Sequence, residues 1–415
     1  MDRAQTASNG IWRDSALMSA GIVIANGFNL LYQVGMGRFL SVDEFGLLSA
    51  CLGMLNMVLL PLGVVALAMT RAVSLLDQQG AGLTIWKLIK QWSLRLGGLG
   101  VGVSALIMLF ADSIMRDFHL ERVAPLYLFA GALCLTLLRP VVFAALRGME
   151  CFIAWSSATI LLALGRLIIG VLLVASVSAY AGWALLGHGL GVGIALLCGV
   201  VFIKRHLAHT SSKEIAVPAL ESFIVRSLAG LVGLALFTMG DVVLVRRYFP
   251  DVAGQFAYAS IIGHLILVVP QAMCGALFPK VVKATGNERG QLIRRTFSGM
   301  LCVVSGLSAV VALCAPFLLG LLFGSEAIRP ISVMWLQWIS ISMIPVSTLQ
   351  FQVQMALAKH RFNGLWLLMI AALVLIGLLG LNVVDSVEKM IISMALLSLV
   401  VSAVLGWCLR ERDAG

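Results

Sequence analysis

Twelve apolar stretches follow one another along the chain, at roughly 15–37, 46–69, 91–112, 124–146, 154–176, 181–203, 222–245, 255–278, 298–322, 331–358, 362–384 and 388–408, with polar residues gathered in short breaks between them. Each has the ~20 residues that a helix needs to cross a bilayer. Lipid offers the backbone no hydrogen-bond partners, so a spanning stretch has to close its own bonds as a helix. The pattern predicts an all-α polytopic membrane protein with twelve transmembrane helices and almost nothing left over for a soluble domain.

The polar breaks also repeat. Residues 38–71, RFLSVDEFGLLSACLGMLNMVLLPLGVVALAMTR, are echoed by 247–280, RYFPDVAGQFAYASIIGHLILVVPQAMCGALFPK, and three landmarks keep an offset of 209: Arg38 with Arg247, Pro61 with Pro270, and Arg71 with Lys280. Gly46 and Gly254 echo one another with a drift of one. The longest central break, Lys204 to Ser222, falls at the middle of this repeat. The expected organisation is therefore an N-terminal six-helix lobe (1–206), a cytoplasmic linker (207–221) and a C-terminal six-helix lobe (222–415), forming two pseudo-symmetric bundles around a central cavity. Six is an even number, so both lobes enter the membrane in the same sense, related by an axis along the membrane normal.

Local chemistry adds detail. Ser41-Val-Asp-Glu44 reads as a capping box, Ser41 accepting from the first free amides and Glu44 reaching back. Pro61 and Pro270 each remove one backbone bond in mid-span and predict a bend. In 81–96, Ile85, Leu88, Ile89, Trp92 and Leu96 share one face and Lys87, Lys90, Gln91 and Arg95 lie largely opposite, which predicts an interfacial helix anchored to anionic lipid, with a counterpart after Gly290 carrying Arg294 and Arg295. The glycines of spans three and six (97, 98, 100, 102; 187, 189, 191, 193) read as close helix-packing faces. No strand precedes them and no Lys-Ser/Thr follows, as a nucleotide loop would require.

Composition agrees with this reading: 60% of residues are apolar and 12% charged, against about a quarter charged in soluble domains. A polar lead of fourteen residues precedes the first apolar run, so no cleaved signal peptide is expected. With the N-terminus inside, the inner segments hold twenty Lys/Arg and the outer loops seven. The positive-inside rule then places both termini in the cytoplasm. The net charge of +10 reads as topology and attraction to membrane lipids, with no nucleic acid as partner. Of eight cysteines, all but Cys151 fall in spans, and no CxxC occurs, so neither a disulfide framework nor a metal site is expected.

A charged side chain in mid-span costs roughly 2.5–3.5 kcal/mol on insertion scales and needs a cavity or a partner. Arg166 lies at the centre of span five, and Arg139 lies in span four beside Pro140, whose missing amide frees the carbonyl of Thr136. Either cation could line a cavity and contact an anion, or be satisfied by helix carbonyls (Arg166) or by snorkelling (Arg139). Asp241, near the outer end of span seven, could pair with Arg246, Arg247 or an arginine of the other half, or serve in proton or cation coupling. His264, in span eight, is a second coupling candidate, and both it and His188 could equally be hydrogen-bonded helix contacts. Spans one to six contain no acid apart from Asp112 at the very end of span three.

These residues carry a family resemblance. Asp241-Val-Val-Leu-Val-Arg-Arg-Tyr-Phe-Pro-Asp-Val-Ala-Gly254-Gln-Phe-Ala-Tyr258, Gly37-Arg38-Phe-Leu-Ser-Val-Asp-Glu-Phe45-Gly46 and Leu146-Arg147-Gly148-Met149-Glu150-Cys151-Phe152 resemble patterns of the polysaccharide (O-antigen type) flippases in the MOP exporter superfamily. Gln255 departs from the apolar residue usual after the glycine. The resemblance implies a MATE-like fold and, without enzymatic chemistry or a cofactor, an inner-membrane flippase. It would move an undecaprenyl-diphosphate-linked oligosaccharide to the periplasmic leaflet for cell-surface polysaccharide (O-antigen, lipopolysaccharide) biosynthesis. Glycan polymerase and chain-length machinery would be its partners. In that scheme Arg139 and Arg166 hold the pyrophosphate with their planar forks, Arg38 and Arg247 sit at the outer gate, and Arg71 and Lys280 form an inner-leaflet landing site. The alternatives are a cation-coupled multidrug exporter of the same superfamily, which should carry acids in its cavity where span one has none, and a membrane-embedded glycan polymerase or ligase, which should carry a large outer loop.

Overall fold

The computed structural model describes residues 2–210, 213, 215, 221–283, 286–359, 361–362 and 364–410, the side chains of 2–16, 222–223, 275–276, 278–283, 286–289 and 408–410 excepted. The described residues form helices joined by short turns, in two compact units: 1–44 with 62–224, and 45–61 with 225–415. Residues 45–61, which the sequence pattern assigns to the N-terminal lobe, group with the second unit.

The first unit contains α1 (Asp2–Phe39), the second half of α2 (Val42–Gln78), α3 (Gly82–Leu109), α4 (Ala111–Asp117), α5 (Ala124–Gly148), α6 (Phe152–Ser176) and α7 (Ala181–Leu207). Its centre is the pairing of α6 with α7, with α1 laid on α6 and α5 on α7. The span-six glycines explain the closeness: a Cβ on Gly187 would lie 2.5 Å from Gly170 Cα, and one on Gly191 2.7 Å from the backbone nitrogen of Arg166. Only a residue without a side chain fits there. Ser41 caps α2 as expected, accepting from the Glu44 amide at 3.4 Å. Glu44 does not reach back. Its Oε2 accepts instead from the Ala181 amide at 2.7 Å, placing a carboxylate on the free amides at the start of α7, where the helix dipole favours it.

The second unit contains the first half of α2, then α8 (Glu221–Met239), α9 (Asp241–Tyr248), α10 (Ala253–His264), α11 (Val268–Lys283), α12 (Gly286–Leu313), α13 (Ala315–Phe323), α14 (Pro330–Ala358), α15 (Trp366–Gly380) and α16 (Val387–Arg410). Here α14 is the hub, meeting α10, α11, α12 and α16.

Several expectations need correcting. Among the described residues ten helices are long and apolar enough to cross a membrane, eleven if the bent pair α8–α9 is one span, where twelve were expected. The seventh is broken at Gly240 with a bend of 68°. The eleventh is only 15 residues, Trp366–Gly380, about 22 Å long, because the start of that apolar run is spent on a turn at Gly364 (φ 93°). The expected interfacial helix 81–96 is not a separate element but the first half of continuous α3. Its apolar residues Ile85, Leu88, Ile89, Trp92 and Leu96 are buried, while Lys87, Lys90 and Arg95 are exposed. The counterpart is likewise the start of α12. The two prolines also behave differently. Pro61 lies inside an unbroken α2. Pro270 follows a 3₁₀ turn at Leu265–Leu267, the place where its missing amide deprives Ile266 of an acceptor bond. Of the linker, residues 211, 212, 214 and 216–220 lie outside the described residues, but Ile215 is tied to α3, its amide donating to Thr84 Oγ1 at 3.0 Å.

Candidate functional site

Polar chemistry at membrane depth collects separately in the two units. In the first, Arg166 projects from α6 onto α1, its Cζ 4.2 Å from the centroid of the Tyr32 ring. That ring is held from behind by its own hydroxyl, which donates to the Ala184 carbonyl of α7 at 3.0 Å. The arginine is half-buried, its Nε is buried without a hydrogen-bond partner, and no acid lies against it among the described residues. The alternative in which helix carbonyls satisfy Arg166 is not what the described residues show. Stacking on an electron-rich face stabilises the cation without using its donors, and so leaves the fork open.

Arg139 is half-buried on α5, with its Cζ 5.5 Å from the Phe143 ring centroid, and feels the charge of Arg166. His188 of α7 lies within electrostatic reach of both arginines. It is only 7% exposed, and neither ring nitrogen has a partner. Thr136 Oγ1, one turn before Pro140, is also buried and unpaired, as are Asn29 Oδ1 and Gln33 Oε1 flanking Tyr32 on α1. An unpaired buried polar atom costs about 1–3 kcal/mol. Arg166 Nε, Thr136 Oγ1 and one His188 nitrogen can each donate, so α5, α6 and α7 carry unpaired donors of the kind an anion with several oxygens needs, whereas the Asn29 and Gln33 oxygens can only accept. Sequence reading singled out the charges. It missed Tyr32, Asn29 and Gln33, whose only signal is a polar N-x-x-Y-Q run in the C-terminal third of an apolar span.

In the second unit Asp241 and His264, nominated separately, form one cluster. Asp241 is the first residue of α9, just past the 68° break, and is 4% exposed. Its Oδ2 accepts from Ser260 Oγ at 2.6 Å and lies 3.2 Å from His264 Nε2, while its Oδ1 is buried without a partner. Gln255 is explained as well, since its Oε1 accepts from Ser332 Oγ at 2.8 Å.

Arg38 and Arg71 are exposed on α1 and α2, and Arg247 is exposed on α9 with its Cζ 5.6 Å from the Tyr248 ring centroid. The Lys280 side chain lies outside the described residues. Sequence reading also missed a contact at the end of the first unit, where Asp77 Oδ1 lies 3.1 Å from His206 Nε2 and His206 Nδ1 lies 3.5 Å from Cys151 Sγ. The order is that of a nucleophilic triad, but burial and the Asp77 carboxylate push the Cys151 thiol up, the opposite of activation. The contact joins the ends of α2 and α7 to the turn after α5. That turn is tight: Glu150 has φ 55° and a Cβ on Gly148 would lie 2.8 Å from the Thr70 carbonyl.

No protein-family model matches this chain, and no curated protein matches it in sequence. Solved structures do match in fold. An inward-facing multidrug resistance MATE family transporter of the MOP superfamily aligns with a TM-score of 0.68 at 14% identity, over 94% of this chain and 98% of that one. An outward-facing conformation aligns with 0.68 at 15%, over 97% and 95%. A MOP superfamily transporter from Pyrococcus furiosus, described by the reverse polarity of its binding pocket, aligns with 0.64 at 14%, over 97% and 95%. The chain is a multi-pass membrane protein with the fold of MOP-superfamily transporters, an all-helical architecture of two pseudo-symmetric bundles.

Proposed function

We propose that this protein is an inner-membrane exporter that carries an anionic lipid-linked oligosaccharide, of the undecaprenyl-diphosphate class, from the cytoplasmic to the periplasmic leaflet by alternating access. The observation that carries the reading is Arg166: a permanent cation stacked on Tyr32, with a buried unpaired Nε and with Arg139 and His188 in reach. A diphosphate offers such a site its complement, because guanidinium forks match phosphate oxygens bidentately. The polarity of the pocket is what separates an anion carrier from a cation pump on this fold, and the Pyrococcus furiosus neighbour is itself distinguished by a reversed one. In this scheme both termini are cytoplasmic, Arg38 and Arg247 guard the outer side, and Arg71 and Lys280 receive the headgroup on the inner side. Asp241 and His264 couple transport to a cation or proton.

A second reading, a cation-coupled multidrug exporter, draws on the buried Asp241 carboxylate with its unpaired Oδ1 and on the multidrug transporters among the fold neighbours. Reconstituted vesicles decide between them. Accelerated movement of a fluorescent undecaprenyl-diphosphate glycan, without movement of ethidium or a similar organic cation, is expected. Ethidium transport with no glycan movement would overturn the proposal.

A further inference from the structure

The second unit contains a cleft of about 580 Å³ between α12, α14 and α16 that neither reading uses. Its chemistry is graded along the helix axes. The apolar spans begin at Gly290 and end at Ala358 and Trp407, so the cleft lies within about two turns of one end of all three. Arg294, exposed, and Lys359, the C-cap of α14, stand at that end. One to two turns deeper the wall becomes Phe351 and Met355, 2% and 3% exposed, and Phe297, whose ring centroid lies 5.5 Å from that of Phe351. Between cations and aromatics sits Gln352, whose Oε1 is buried without a partner. Among the described residues lining the cleft, two are cations and none is acidic.

We infer that this cleft binds one anionic glycerophospholipid, its phosphate at Arg294 and Lys359 and an acyl chain against Phe297, Phe351 and Met355. A cleft for a soluble anion would not line its floor with apolar side chains such as the buried Phe351 and Met355. A face merely wetted by bulk lipid would not combine two cations with a recess of the size that usually holds a ligand. Basic pockets between transmembrane helices select lipids with net negative headgroups over zwitterionic ones. The cleft is lined by residues of the second unit and the Arg166 cluster is built from residues of the first, so the two share no side chain and the proposal does not depend on the exported substrate.

Native mass spectrometry of the full chain, offered equal amounts of phosphatidylglycerol and phosphatidylcholine, tests it. One phosphatidylglycerol should be retained in preference, and Arg294→Gln or Lys359→Gln should each reduce that preference about fivefold. Arg294→Lys should keep it. Gly406→Leu separates the recess from diffuse surface charge. A Cβ there would stand 3.3 Å from Gln352 Nε2, so leucine fills the cleft from α16 while both cations remain, and retention should fall. Equal retention of the two lipids by the unaltered protein, an undiminished preference in both glutamine variants, or full retention by Gly406→Leu would each overturn the inference. Displacement of phosphatidylglycerol by undecaprenyl diphosphate would overturn it too, by assigning the cleft to the substrate.

Discussion

Gly46 and Gly254, which echo one another in the sequence, are packed face to face in the second unit: a Cβ on Gly46 would lie 2.8 Å from the backbone nitrogen of Gly254 and 3.0 Å from its Cα. Beside them Phe45 stacks on Tyr258, with centroids 4.8 Å apart and planes 21° apart, and Phe323 closes against both rings. The first half of α2 thus meets α10 at van der Waals distance, with an aromatic cluster locking the crossing. Gly46→Val is expected to cost about 1–3 kcal/mol through overpacking, and Gly254→Val a similar amount. Thermal unfolding in detergent, followed by loss of the monodisperse elution peak, reads this directly. Unchanged midpoints would show that the helices can part without cost.

Replacing Arg166 tests the anion site. One charge-assisted contact is worth about 1.5–3 kcal/mol, so Arg166→Ala and Arg166→Gln should cut glycan export by at least tenfold at normal abundance. Arg166→Lys keeps the charge but loses the fork and should retain part of the activity. Loss of abundance before loss of export would instead mean that the Tyr32 stack is structural, and normal export by Arg166→Gln would remove the diphosphate contact from the proposal.

At the Asp241 cluster, the amide of Asp241→Asn keeps the volume and can still accept from Ser260, but cannot carry the carboxylate's charge. Downhill substrate movement should survive in this variant while acceleration by an imposed proton or sodium gradient is lost, and His264→Gln should weaken the same response. A gradient response equal to that of the unaltered protein in both variants would exclude the cluster from coupling.

For Cys151, which lies between spans, the sign follows from its surroundings. Burial and the Asp77 carboxylate both disfavour the thiolate, and the thiolate is the reacting species. In a background with Cys151 as the sole cysteine, alkylation at neutral pH should be slower than that of an exposed thiol, and should rise only at a higher pH than usual. Asp77→Asn removes one of the two causes and should speed the reaction. A rate already at the free-thiol value would contradict the half-buried Asp77–His206–Cys151 contact.

Much of the architecture was legible in the chain because a bilayer is a demanding solvent. Every spanning backbone must close its own hydrogen bonds, so apolar length alone located the helices. Arg139, Arg166, Asp241 and His264 stood out because charge or an imidazole in mid-span needs a reason to be there. What the sequence could not determine is which polar groups meet. Glu44 abandons its own helix for the start of α7, and Asp241, the first residue past the break at Gly240, meets His264 at the end of α10 rather than a neighbouring arginine. Tyr32 becomes the seat of Arg166 through a crossing of α1 on α6. Periodicity and composition act within one helix, whereas a contact between helices depends on crossing angle, rotation and depth, which only the packing of all the side chains fixes.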